Sequence, residues 1–228
     1  MTASPLAGIK ACLFDAYGTL FDFAAAARGC RDVLGADVDR VTALWRDKQL
    51  QYTWLRSLAG HYADFWQVTC DALDFTLETL GIERPGLRDR LMTLYLTLET
   101  FPEVHDTLRR LRQAGLRTAI LSNGSRQMLD AAVAGNNLWP LIDAVLSVDD
   151  VGVFKTHPKV YQLALDRLGL PAAAISFQSS NAWDAHAASA FGMRVVWCNR
   201  YGQRPERLPG RPDHEIRTLA ELPPLVGA

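Results

Sequence analysis

The chain has 228 residues, 49% hydrophobic and 21% charged, with 24 Lys plus Arg against 25 Asp plus Glu. A domain typically takes roughly 100–200 residues, so this is one large domain or a domain carrying a smaller one, with too much apolar material for a disordered chain. A net charge of -1 lacks the basic excess of a dedicated nucleic-acid binder and leaves room for a small anionic ligand.

Residues 1–8 hold no basic stretch ahead of an apolar one, so no signal peptide is expected. No apolar run approaches the ~20 residues that cross a bilayer, and no membrane partner is expected. Residues 9–14 read as a buried strand that ends in the turn Asp15-Ala16-Tyr17-Gly18-Thr19. From about residue 24 to 99 the pattern is helical, with Leu44, Leu50, Trp54 and Leu58 at helical intervals, then Phe65, Trp66, Leu73, Leu77 and Leu80. Gly81 and Arg84-Pro85-Gly86 break it before a further helix over 87–98.

Beyond Phe101-Pro102 the pattern alternates. A helix over 104–114 stops at Gly115. A strand over 118–121 meets Ser122-Asn123-Gly124-Ser125, and a helix over 126–134 follows. A strand over 144–147 leads through a loop to Lys155, and Pro158 suits the first position of the next helix. A strand over 175–177, a helix over 182–191 and a strand over 195–198 complete the rhythm, with a short strand near 215–216 and a last helical turn. This order specifies an α/β fold, a doubly wound parallel-sheet core with helices on both faces. The helical stretch is then an insertion after the first strand, giving a core domain of 1–23 and 99–228 and an inserted helical domain of 24–98. The cysteines, Cys12, Cys30, Cys70 and Cys198, form no CxxC pair. Neither a disulfide framework nor a zinc site is expected, and a reduced, cytoplasmic protein is.

Polar residues gather just after four successive strands: Asp15, then Ser122 and Asn123, then Lys155, then Ser179, Asn181 and Asp184. In open parallel sheets ligands bind beyond the carboxyl ends of the strands, so these groups should converge. Each has an ordinary reading beside the functional one. Asp15 suits a tight turn, but an acid directly after an apolar run is costly to bury without partners. Ser125 suits a helix N-cap, and Asp184 a capping box with Ser180 or Asn181. Lys155 and Arg46 read as solvated surface cations when taken alone. Leu50, Trp54 and Phe65 read as packing residues, and Tyr161 as a core tyrosine.

The run from Phe14 through Asp15, Tyr17, Gly18 and Thr19 to Asp22 resembles the first motif of the haloacid dehalogenase superfamily. Leu121-Ser122-Asn123-Gly124-Ser125 resembles its second motif, Lys155 its third, and Ser179-Ser180-Asn181-Ala182-Trp183-Asp184 its fourth. Trp45-Arg46, continuing through Gln51-Tyr52-Thr53-Trp54-Leu55-Arg56, is similar to the cap-domain motif of the L-2-haloacid dehalogenases. The resemblance implies a Rossmann-like core with a helical cap, a homodimer, and hydrolysis of a small 2-haloacid substrate without metal or organic cofactor. It assigns Asp15 as nucleophile and Arg46 as halide acceptor, aided by Asn123. Ser122 becomes the anchor of the substrate carboxylate, and Lys155 the group that keeps Asp15 ionised and aimed. Asp184, with Ser179 and Asn181, would activate the hydrolytic water. Tyr17, Leu50, Phe65 and Trp183 match the apolar wall, and Thr19 and Tyr161 complete the polar network.

Phosphatases of that superfamily carry a second Asp two residues after the nucleophile, where Tyr17 stands here, and a further Asp where Ser180 stands. Mg²⁺ favours charged oxygen ligands, and both losses suit a halide leaving group. A Mg²⁺-dependent small-molecule phosphatase and a non-catalytic binder of small carboxylates are the alternatives. Phe154-Lys155-Thr156-His157 departs from the usual Tyr-Lys-Pro-Asp wording, and His157 reads as a solvent-facing loop residue.

Overall fold

A computed structural model describes residues 4–228. Strand β1 (Ala11–Phe14) is followed by five helices, α1 (Ala25–Arg28), α2 (Arg31–Leu34), α3 (Val38–Ala59), α4 (Phe65–Leu80) and α5 (Leu87–Leu96). The chain then alternates through α6 (Val104–Gln113), β2 (Arg117–Ser122), α7 (Arg126–Gly135), β3 (Ala144–Ser147), α8 (Pro158–Leu168), β4 (Ile175–Ser179), α9 (Ala182–Phe191), β5 (Arg194–Cys198), β6 (His214–Ile216) and α10 (Leu222–Leu225).

The six strands form one sheet in the order β3-β2-β1-β4-β5-β6, every pair parallel. Every residue of β1 is buried, as a strand covered by helices on both faces requires. Helix α6 packs on β2, α7 on β3, and α9 on β4 and β5. β1 is central, paired through Phe14 with Ile120 of β2 on one side and Gln178 of β4 on the other. The connections change direction between β1 and β4, which opens the crevice beyond their carboxyl ends where such sheets bind ligands.

Helix α4 starts where Asp64 caps it, its carboxylate accepting from the Gln67 amide at 2.8 Å. It lies along α3, where Trp45 donates its indole N–H to the Thr69 carbonyl at 2.9 Å. The side of α3 that packs differs from the one expected from its leucines. Val38, Val41, Trp45, Gln49 and Thr53 are buried, while Trp54 is 38% and Leu58 85% exposed. A shift of one position turns a side chain by about 100° around a helix. The face that meets α4 is therefore the one that places Trp45 and Gln49 inward, although two of its five members are polar.

The helical segment meets the sheet's carboxyl end at several points. The Tyr62 hydroxyl donates to Asp149 at 2.5 Å, and the Phe154 amide donates to the Ser57 hydroxyl at 3.1 Å. Trp54 stands edge-on to Trp183 with ring centres 5.5 Å apart. Phe65, at the start of α4, is buried 5.8 Å from the Tyr17 ring and 6.2 Å from Phe154. Burying one such side chain is worth about 1.5–3 kcal/mol, so these aromatic contacts are a main source of adhesion between the helices and the sheet.

Candidate active site

Asp15 follows β1 directly, and its amide donates to the Gln178 carbonyl at 2.9 Å, extending the β1–β4 pairing by one step. That bond aims its carboxylate into the crevice. One oxygen accepts from Lys155 Nζ at 3.0 Å. The other accepts from Asn181 Nδ2 at 2.8 Å and from the Thr19 hydroxyl at 3.1 Å. Thr19 in turn accepts from the Ser180 amide at 2.8 Å, which ties the turn after β1 to the turn after β4.

Lys155 is 1% exposed, so the solvated-surface reading fails. It lies between two carboxylates, with Asp184 Oδ2 at 2.7 Å on its other side. Burial alone lowers a lysine pKa, but the charges of Asp15 and Asp184 outweigh it and hold this ammonium above its ordinary value. Its loop is seated by Asn123, whose side-chain oxygen accepts from the Lys155 amide at 2.9 Å. Asp184 is fully buried, and its second oxygen accepts from the Tyr161 hydroxyl at 2.7 Å. Burial pushes its carboxyl above the usual range, with the Lys155 charge opposing. The same burial, reinforced by Asp184, keeps Tyr161 a neutral phenol. Asp184 forms no capping box, since Asn181 starts α9 without a side-chain cap. Ser125 does cap α7, accepting from the Met128 amide at 3.4 Å.

From the helical side, Arg46 of α3 donates to the Asn181 side-chain oxygen at 3.2 Å and lies over the Phe23 ring at 4.9 Å. Asn181 thus touches Asp15 with its amide nitrogen and Arg46 with its oxygen. A cleft of about 210 Å³ opens beside them, lined in part by Phe23, Arg46, Leu50, Asn181, Trp183 and Tyr201. Tyr17 is buried against Phe65 and Tyr95, and burial pushes its phenol far above its ordinary value. It cannot act as a proton donor the way a carboxylic acid at that position would. Ser122 is buried, its hydroxyl oxygen accepting from the Gly124 amide at 3.0 Å, and Ser179 accepts from the Asn181 amide at 3.1 Å. His157 is exposed and caps α8, its ring nitrogen accepting from the Lys159 amide at 3.2 Å.

The donor set does not fit Mg²⁺. Of the carboxylates in the crevice, Asp15 and Asp184 already share one ammonium, and Ser180 offers a neutral hydroxyl where a third would be needed.

Sequence reasoning missed two contributors. Gln49 is 1% exposed and accepts from Arg46 at 2.7 Å; its position one turn after Arg46 was the available signal. Arg200 donates to the Thr19 carbonyl at 2.8 Å, pairs with Glu103 at 2.6 Å and stacks 3.8 Å from the Phe101 ring. An arginine after a strand carries no such signal by itself.

Comparison with known proteins gives a consistent result. The haloacid dehalogenase-like hydrolase family matches residues 9–192. The chain is 45% identical to "(S)-2-haloacid dehalogenase 4A" of Burkholderia cepacia, over 96% of this chain and 95% of that one. It is 47% identical to the (S)-2-haloacid dehalogenase of Pseudomonas sp. (strain YL), over 92% and 91%. Among solved structures it is similar to the L-2-haloacid dehalogenase from Xanthobacter autotrophicus with chloropropionic acid covalently bound, at a TM-score of 0.88 and 38% identity over 95% and 98% of the two chains.

Proposed function

Because this chain belongs to the haloacid dehalogenase-like hydrolase family, we propose that it hydrolyses small L-2-haloalkanoic acids to D-2-hydroxy acids through an ester on Asp15. Residues 24–98 act as a cap over the core of 1–23 and 99–228. The carboxylate of Asp15 attacks the halogen-bearing Cα from the face opposite the halogen. The new C–O bond forms as the C–halogen bond breaks, the electron pair leaves with the halide, and Cα inverts. Ser122 holds the substrate carboxylate. Arg46 and the amide group of Asn123 receive the developing halide charge, which an always-protonated guanidinium stabilises. Tyr17, Leu50, Phe65 and Trp183 form the apolar wall. Water then attacks the ester carbonyl of Asp15, with Asp184 accepting its proton and Ser179 and Asn181 orienting it. The C–O bond to Asp15's own carbonyl carbon breaks, and the leaving alkoxide takes up the proton that Asp184 accepted. The regenerated Asp15 carboxyl gives its own proton to solvent, and the product keeps an Asp15 oxygen as its hydroxyl. Neither step routes a charge through a metal ion or an organic cofactor.

The observation that carries this reading is the pairing of Arg46 and Asp15 through the single side chain of Asn181. A carboxylate and a cation meet on one amide beside the cleft, and the residue two places on from the carboxylate is a buried phenol rather than an acid. That arrangement suits a leaving group that departs as an anion and needs no proton. The test is single turnover of 2-chloropropionate in H₂¹⁸O with chelator present and enzyme in excess. Label is expected in Asp15 and not in the product hydroxyl. Label in the hydroxyl would mean that water attacks the substrate directly, and a requirement for Mg²⁺ with phosphate-ester hydrolysis would favour a phosphatase.

A further inference from the structure

Gln49 is a buried amide with every strong hydrogen-bonding position used. Its Oε1 accepts from Arg46 Nη1 at 2.7 Å, and its Nε2 donates to the Thr69 hydroxyl at 2.7 Å and to the Tyr95 hydroxyl at 3.2 Å. The partners dictate which way the amide faces. A guanidinium has only donors, so it must meet the oxygen. The Thr69 hydroxyl spends its proton on the Phe65 carbonyl at 2.6 Å, so it must meet the nitrogen. Thr69 belongs to α4 and Tyr95 to α5, so three helices fix this one side chain. The same turn of α4 is held by the Trp45 indole on the Thr69 carbonyl.

The charge of the acceptor matters as much as its place. The side-chain oxygens that accept from Arg46 at 2.7 and 3.2 Å belong to the neutral amides of Gln49 and Asn181, and among the described residues no carboxylate forms an ion pair with it. A carboxylate in either place could also accept from the guanidinium, but it would pair with its charge and would lack the N–H that now meets Thr69 or Asp15. We propose that Gln49 is a positioning residue for dehalogenation, holding the Arg46 guanidinium toward the departing halide while leaving its positive charge uncommitted. This rests on Arg46 being the halide acceptor. Gln49 itself touches no reacting atom.

The experiment compares 2-chloropropionate with 2-bromopropionate in single turnover, following halide release and ester hydrolysis separately, together with inhibition by added sodium bromide. Gln49→Met keeps the volume and removes the acceptor. It should slow chloride displacement about tenfold, the scale of one hydrogen bond to a charged group. Bromide, the better leaving group, should be slowed less, and ester hydrolysis should be unchanged. Gln49→Glu keeps the shape and the acceptor toward Arg46, and the Thr69 hydroxyl must turn its proton from the Phe65 carbonyl to meet the oxygen that replaces Nε2. It should slow chloride displacement further and relieve bromide inhibition, because its carboxylate takes the charge that the halide would use. A merely structural role would not change the chloride-to-bromide ratio. If Gln49→Glu retains that ratio and the bromide inhibition of the unmodified protein, the proposal is overturned, whether or not Gln49→Met folds. Arg46→Ala separates the two levels. If it also leaves the ratio unchanged, the halide-acceptor assignment is the part that fails.

Discussion

Replacing Asp184 by Asn removes one charge from the buried group of Asp15, Lys155 and Asp184 while keeping the shape. The new side chain has one acceptor and one donor end. Lys155 can only donate, and the Tyr161 oxygen can also accept, so the amide should turn its oxygen to Lys155 and its nitrogen to Tyr161. Lys155 keeps Asp15 at 3.0 Å as its counter-charge. Breaking a buried pair outright costs about 3–5 kcal/mol, and with one partner retained the stability loss should fall at or below the lower end. The catalytic effect divides by step. Displacement of halide needs no base, whereas general-base help to the water is worth about 10²–10⁴-fold, or roughly 3–5 kcal/mol of barrier. The variant should release about one equivalent of halide per site and then stall. Rapid-quench halide measurement would show the burst, and mass spectrometry should find the acyl group on the peptide containing Asp15. If neither burst nor ester is seen, Asp184 serves the first step by holding Lys155 and Asp15. The activation of water would then have to be reassigned within 179–181.

Other outcomes follow from the same geometry. Burial raises the Asp184 carboxyl, so on acidification it takes up its proton earlier than an ordinary carboxylate; ester hydrolysis should fail on the acid side first, seen as ester accumulating while the halide burst persists. The carboxylates outweigh burial at Lys155 and raise it, so the burst should not be lost by lysine deprotonation until above the ordinary lysine range, and an alkaline loss near neutrality would contradict the assignment. Gly210 has φ +83°, and a Cβ there would lie 2.2 Å from the His186 carbonyl and 2.6 Å from the Ala190 amide nitrogen. Gly210→Ala should therefore lose about 2–4 kcal/mol, read as a lower urea midpoint. Arg200→Met should cost about 2 kcal/mol by leaving Glu103 without its charged partner; an unchanged urea midpoint would show that the pair contributes nothing.

The layers of the fold were legible because a parallel sheet writes itself into the chain as apolar runs separated by helical periods. All six strands lie within a few residues of their expected places. The meeting of Asp15, Asn123, Lys155, Asn181 and Asp184 was legible for a related reason. Each lies in the loop or first helical turn beyond a strand, and parallel strands deliver all their carboxyl ends to one edge. The second-level contacts were not written this way. That Asn123 seats Lys155, or that Thr19 bridges Asp15 and the Ser180 amide, depends on which side-chain atoms meet across more than thirty or more than a hundred residues of chain.

Helix α3 shows where hydrophobic periodicity misleads. Its leucines suggest one face, but its packed face includes Gln49 and Thr53. An apolar residue can sit at moderate cost on the surface, since exposed apolar atoms are common on folded proteins. A polar residue enters the interior only where its partners are supplied. Gln49 has three, from Arg46, Thr69 and Tyr95. The face of α3 that turns inward is thus the one on which Gln49 finds Arg46, Thr69 and Tyr95. Of the two polar residues on that face, Gln49 reaches the crevice only through Arg46, and Thr53 bonds back to the Leu50 carbonyl of its own helix. In a protein of this design the informative positions of the insert are its buried polar residues, and their partners can be found only after the chain has folded around them.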